Sequence, residues 1–134
     1  MAESSLDRAS ESSRKQRAGT DFTGAFGTKK GSSDLLFIEG QLPEQDGEVA
    51  RSESSPQQLE ICLENLEAAL SRHGRELADV LQLTLYLADM ESYEQINEAY
   101  EQVFDETCPA RTTVGVCNLL GGAAVSVDAV VAIE

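Results

Sequence analysis

The segment Ala124–Ile133 sets the tightest limit on what this chain can fold into. Read as a strand, it points Val125, Val127, Ala129, Val131 and Ile133 to one side and Val130 and Ala132 to the other. Both faces are largely apolar, and a strand apolar on both sides is normally covered on both sides. The rest of the chain offers two helices, which cover one face of a sheet. A further subunit is the natural cover for the other, so the sequence predicts a homo-oligomer with sites at the interfaces between subunits.

The remaining elements follow from local pattern. Leu35-Leu36-Phe37-Ile38 reads as a buried strand, and an earlier strand around residues 23–29 pairs with it as a hairpin. Pro43 to Gly47 is a polar turn. Ser55, as N-cap, and Pro56, at the first helical position, open a helix. Its apolar face is Leu59, Cys62, Leu63, Leu66, Ala69 and Leu70, and Glu60, Glu64 and Glu67 lie outside that face. Gly74 ends it, with His73 placed to cap the last carbonyls. Val80–Leu87 is rich in strand formers. Glu91–Phe104 is a second helix, with Tyr93, Ile96, Ala99, Tyr100 and Val103 on one face. After Pro109, strands over Arg111–Cys117 and Ala124–Ile133 meet around Gly121-Gly122. The order β-β-α-β-α-β-β, with two helices on one face of a mixed sheet, predicts an α/β two-layer (α+β) sandwich. Residues 1–20 are Ser-rich and charged and read as a flexible tail, with residues 21–134 as the domain.

Charge narrows the function. The chain of 134 residues has a formal net charge of -14. Residues 1–33 are net +2, so the body carries -16, and after Lys30 the only bases are Arg51, Arg72, Arg75 and Arg111. Such a body repels phosphate backbones, which argues against nucleic acid as a partner. It also repels itself, and salt screens that repulsion, so a salt-rich, halophilic cytoplasm is the predicted setting. There is no long apolar run for a membrane span and no apolar N-terminal segment of signal-peptide type. Cys62, Cys108 and Cys117 are odd in number and lack metal-ligand spacing, as expected of reduced thiols in the cytoplasm.

No Walker loop, GxGxxG, HExxH or CxxC occurs, and one histidine gives a Ser-His-Asp triad little support. Arg111 is the residue to explain. It follows Cys-Pro-Ala, begins an apolar strand, and is the only base after Arg75. Its planar fork suits a carboxylate, either that of a ligand or that of an internal acid in a salt bridge.

Gly40-Gln41-Leu42-Pro43, Asn97-Glu98-Ala99-Tyr100 and Pro109-Ala110-Arg111-Thr112-Thr113-Val114, in that order, resemble the reactive intermediate deaminase family (Rid, RidA-like, also labelled endoribonuclease L-PSP-like). Thr84-Leu85-Tyr86-Leu87-Ala88-Asp89-Met90 adds to the likeness, which runs from about Gly24 to Ile133. The resemblance implies a chorismate-mutase-like fold and a homotrimer with active sites between subunits. It implies hydrolysis of 2-imino acids, such as 2-iminobutanoate and 2-iminopropanoate, to 2-keto acids and ammonia, without cofactor or metal. Arg111 matches the family arginine that clamps the substrate carboxylate. Thr113 stands where a cysteine is common and Phe26 where a tyrosine is usual. Glu39 stands where a small hydroxyl residue is common, beside Gly40, and Asn97 matches the family asparagine on the second helix. The water-positioning glutamate of the last strand falls on Ser126 by direct count, or on Asp128 after a two-residue slip. Cys117, on the Arg111 face, reads as a buried free thiol. The departures at Phe26, Glu39 and Ser126 keep a second reading open, a trimer that binds small carboxylates or keto acids without turnover. RNA cleavage, suggested by the older label, conflicts with the acidic body.

Overall fold

A computed structural model describes residues 27–29, 35–104 and 109–133. The expectations for the tail, Phe26 and Cys108 lie outside those residues. Strands β1 (Gly27–Lys29), β2 (Leu35–Gln41), β3 (Glu44–Gln45) and β4 (Glu48–Val49) precede helix α1 (Ser55–Arg72). Strand β5 (Val80–Leu87), helix α2 (Tyr93–Val103) and strands β6 (Ala110–Gly115) and β7 (Val125–Ala132) complete the chain. The main sheet has five strands in the order β1-β2-β7-β5-β6. Only β5 and β6 run parallel, joined through α2, and the other neighbours are antiparallel. Both helices pack on one face, as the sequence order requires of a two-layer sandwich. Among the described residues no helix is long and apolar enough to cross a membrane.

The core is the space between the helices and that face. Leu59, Cys62, Leu63, Leu66, Ala69 and Leu70 of α1 meet Leu36, Ile38, Leu83, Leu85, Leu87, Val125, Val127, Ala129 and Val131 of the sheet. Each fully buried leucine contributes roughly 1.5–3 kcal/mol of burial free energy. Ile96 and Tyr100 anchor α2 on the same core.

Three local readings need correction. The N-cap of α1 is Ser54, whose hydroxyl accepts from the Gln57 N–H, and Ser55 is already helical. Pro56 sits within the first turn, where its missing N–H leaves no bond unmade. The helix preceding Pro109 is shorter than expected, because Met90–Ser92 form a 3₁₀ turn and the α-helix starts at Tyr93. Strand β6 stops at Gly115, the last residue opposite β5, so Cys117 lies beyond the ladder and is exposed rather than buried.

Loops hold the strands that matter for the site. The β3–β4 hairpin turns at Asp46-Gly47, both at positive φ (52° and 82°), as a tight hairpin turn demands. Asn65 of α1 donates to the Leu42 and Glu44 carbonyls and fastens that hairpin. Gln58, 2% exposed, donates to the Glu53 carbonyl and accepts the Ala124 N–H at 2.8 Å. It thereby ties the start of β7 to α1. Gly121, at φ 67°, passes so close to β4 that a Cβ would fall 2.5 Å from Val49 Cγ2.

Candidate functional site

Pairing register decides which side chains meet. In β6, Arg111 stands beside Leu83 and Thr113 beside Leu85, both core residues of β5, so Arg111 and Thr113 lie on the helix-covered face. There the Arg111 guanidinium stacks on α2. Its carbon lies 4.6 Å from the Tyr100 ring centre and 5.9 Å from that of Tyr93. Its Nη2 donates to the Tyr93 hydroxyl at 3.0 Å. Cation–ring contacts at these distances contribute about 0.5–2 kcal/mol and fix the plane of the guanidinium. Tyr93, Asn97 and Tyr100 fall at i, i+4 and i+7, one stripe of α2, so Asn97 shares the face that holds Arg111. Among the described residues no carboxylate lies within ion-pairing distance of Arg111, which is half-buried at the sheet edge. Among the described residues, the internal salt bridge weighed from the sequence finds no acid, and the aromatic rings of α2 seat the guanidinium instead.

A second cluster forms on the opposite face. Ser126 and Asp128 alternate with the core residues Val125, Val127 and Ala129, so they point away from the helices. The β2–β7 ladder has a bulge here. Ile38 pairs with Ala129 and Gln41 with Val127, leaving Glu39 and Gly40 opposite the single Asp128. A Cβ on Gly40 would stand 3.3 Å from Ser126 Oγ, so glycine admits the close approach of these strands. Tyr86 of β5 donates its hydroxyl to Asp128 Oδ2 at 2.9 Å. That bond, followed by partial burial and the carboxylate's charge, pushes the Tyr86 phenol above its ordinary pKa. Ser126 is 6% exposed.

The predicted site residues therefore fall into two groups. Arg111, Thr113 and Asn97 are together, and Glu39, Gly40, Ser126 and Asp128 are together. Within one chain the groups do not meet. Strands β6 and β7 are separated by β5, roughly 10 Å at two interstrand spacings, and the side chains face opposite ways. Glu39 is one strand farther from Arg111 and does not pair with it. Phe26 lies outside the described residues. Sequence reasoning missed the aromatic seat of Arg111 and the Tyr86 bond to Asp128. Tyr93 and Tyr100 were legible as one helix face, but their contact with Arg111 needed the parallel β5–β6 pairing.

The face carrying the second cluster is also the one that lacks helices. Phe37 (46% exposed) lies there opposite Val130, with Leu35 opposite Ala132. This is the apolar outer face anticipated from the last strand. Among the described residues, no three His, Cys, Asp or Glu are grouped to hold a metal.

Comparison with known proteins adds independent findings. The profile of the endoribonuclease L-PSP family matches residues 21–133. The RutC family protein PH0854 of Pyrococcus horikoshii is 35% identical over 101 residues, 74% of this chain and 79% of that protein. TdcF of Escherichia coli K12, whose name carries the words reactive intermediate deaminase, is 31% identical over 72% of this chain and 77% of its own length. Among solved structures, Escherichia coli TdcF with bound serine is similar at TM-score 0.73 and 27% identity, over 82% of this chain and 87% of that one. RidA from the Antarctic bacterium Psychrobacter sp. PAMC 21119 reaches TM-score 0.77 at 27% identity, over 85% and 91%.

Proposed function

From the premise that this chain belongs to the endoribonuclease L-PSP family, we propose that it is an imine deaminase acting on small 2-imino acids. 2-Iminobutanoate and 2-iminopropanoate are hydrolysed to the 2-keto acid and ammonia. The observation that carries this reading is Arg111. It is a guanidinium held over the Tyr100 ring, with no acid in ion-pairing distance among the described residues, on the edge strand β6. A planar fork so placed suits the carboxylate of a small substrate, and fixing that carboxylate orients the neighbouring C=N carbon. The likeness to TdcF, solved with bound serine, supports a small amino-acid-like ligand.

Hydrolysis also needs a positioned water. Asp128, steadied by Tyr86 beside Ser126, is the group suited to orient it. The two halves face opposite ways in one chain, so the site forms where the Arg111 edge of one subunit meets the Asp128 face of another. A homotrimer, closed through the exposed apolar face around Phe37, satisfies both needs. The acidic body, with few cations after Lys30, speaks against RNA as substrate.

A second reading, binding of small carboxylates without turnover, draws on one observation. An oxygen of Asp128 is already engaged by Tyr86 and Ser126 is nearly buried. One assay separates the readings. Iminopropionate is generated from alanine by an amino-acid oxidase, with semicarbazide competing for the imine, in molar KCl. Accelerated release of 2-keto acid by wild type, lost in Arg111→Ala and strongly reduced in Asp128→Asn, is the expected result. No acceleration by a folded oligomer that still binds 2-oxobutanoate would replace the deaminase with the binding protein.

A further inference from the structure

Tyr93 is not simply a support for Arg111. Its oxygen accepts a hydrogen bond from Arg111 Nη2 at 3.0 Å, so the phenolic hydrogen points elsewhere. Among the described residues it is donated to no other group. The ring is 36% exposed, at the border of the α2 stripe that seats the guanidinium. Among the described residues an uncommitted O–H donor thus stands near the second N–H of the same Nη2. The two N–H bonds of a guanidinium nitrogen diverge by about 120°, so a ligand carboxylate can span the pair, one oxygen accepting from the second Nη2 N–H and the other from the Tyr93 hydroxyl.

We propose that the Tyr93 hydroxyl is a second donor to the ligand carboxylate bound by Arg111, and that it sets the angle at which small 2-oxo and 2-imino acids enter. The inference rests on the carboxylate-binding reading of Arg111 and adds the residue that selects the carboxylate's orientation. Tyr100 lies under the guanidinium and is 3% exposed, so it supplies the flat seat, and Tyr93 supplies the directional bond. A ligand whose anion offers a single oxygen gains from the charge but cannot reach both Nη2 and the phenol.

The test is a calorimetric titration of the intact oligomer with 2-oxobutanoate. It compares wild type, Arg111→Ala, Tyr93→Phe, and a protein with 3-fluorotyrosine placed at 93 alone. Tyr93→Phe removes one oxygen from a partly exposed ring, and its thermal midpoint without ligand should stay near that of wild type. A hydrogen bond to a charged group typically carries about a tenfold or larger effect, so Kd should rise about tenfold. In turnover, kcat/KM should fall by a similar factor, the loss lying in KM. 3-Fluorotyrosine has a more acidic phenol, a better donor and a poorer acceptor. Affinity equal to or above that of wild type is expected if the phenol donates to the ligand. A loss of affinity there would mean that Tyr93 only accepts from Arg111, and would overturn the proposal. So would a Tyr93→Phe affinity within twofold of wild type while Arg111→Ala loses binding. Wild type that binds no 2-oxobutanoate would instead remove the carboxylate reading itself, and this inference with it.

Discussion

Gly74 and Gly121 share one backbone angle, φ 67°, and differ in what surrounds them. An alanine Cβ at 74 meets nothing within 4 Å, whereas at 121 it falls 2.5 Å from Val49 Cγ2 and 3.1 Å from Val49 Cβ. The pair separates backbone strain from steric overlap. The left-handed conformation costs alanine roughly 1–2 kcal/mol, offset by about 0.4–1 kcal/mol from the stiffer unfolded chain. Gly74→Ala should therefore destabilise by about 1 kcal/mol. Gly121→Ala carries the same cost plus that of overpacking, roughly 1–3 kcal/mol. Val49 is half-buried on a two-residue strand and can give way in part, which favours the lower half of that range. The expected gap between the variants is about 1–2 kcal/mol, or roughly 5–10 °C in Tm for a domain of this size. Urea and thermal unfolding measure it. Adding Val49→Ala to Gly121→Ala should recover most of the gap, since it removes the methyl groups that collide. Equal costs for the two glycine variants, or no recovery with Val49→Ala, would refute the reasoning.

Other outcomes follow from single contacts. The Tyr86 pKa is raised by its bond to Asp128, so that bond contributes stability fully below the unfolded phenol pKa of about 10 and loses it as pH rises through the higher folded value. The stability difference between wild type and Tyr86→Phe should shrink in alkali, read from urea midpoints at about pH 8 and about pH 11. Cys62 is buried against the Val125 carbonyl, and burial drives its thiol far above the ordinary range. Iodoacetamide followed by peptide mapping should label the exposed Cys117 and leave Cys62 untouched until the chain unfolds. The body's net charge of -16 predicts that the urea midpoint rises between low and molar KCl, and a flat dependence would remove the halophilic reading.

Much of the fold was legible because the strong signals were local. Val80–Leu87 is a strand with the bounds its composition implies, and α1 stops at Arg72, with His73 as C-cap and Gly74 at positive φ just beyond. The errors lie where two residues can serve one role. Ser54 and Ser55 are both capable caps, and the chosen one places Pro56 where no hydrogen bond is lost. Cys117 looked buried because apolar residues continue past Gly115, but a strand lasts only as long as its partner, and β5 ends at Leu87. The site was legible as a set of residues and not as an arrangement. Alternation within β7 puts Ser126 and Asp128 on one face from sequence alone. Whether Arg111 shares that face depends on the β5–β6 and β5–β7 registers, which no local pattern encodes. Likewise an arginine in an acid-rich chain invites an acidic partner, and the aromatic seat emerged only once α2 was seen to cross behind β6.

The placement of Arg111 and Asp128 on opposite faces makes ownership of the chemistry collective. Under the proposed assembly, a chain damaged at one half remains a sound donor of the other. Arg111→Ala chains, inactive alone, and Asp128→Asn chains, strongly impaired alone, should complement one another when unfolded together and reassembled in equal amounts. About one site in four would then receive an intact arginine from one parent and an intact aspartate from the other, whatever the number of subunits in the closed ring. Dominance would run the same way in a cell carrying both alleles, where neither lesion behaves as a simple loss.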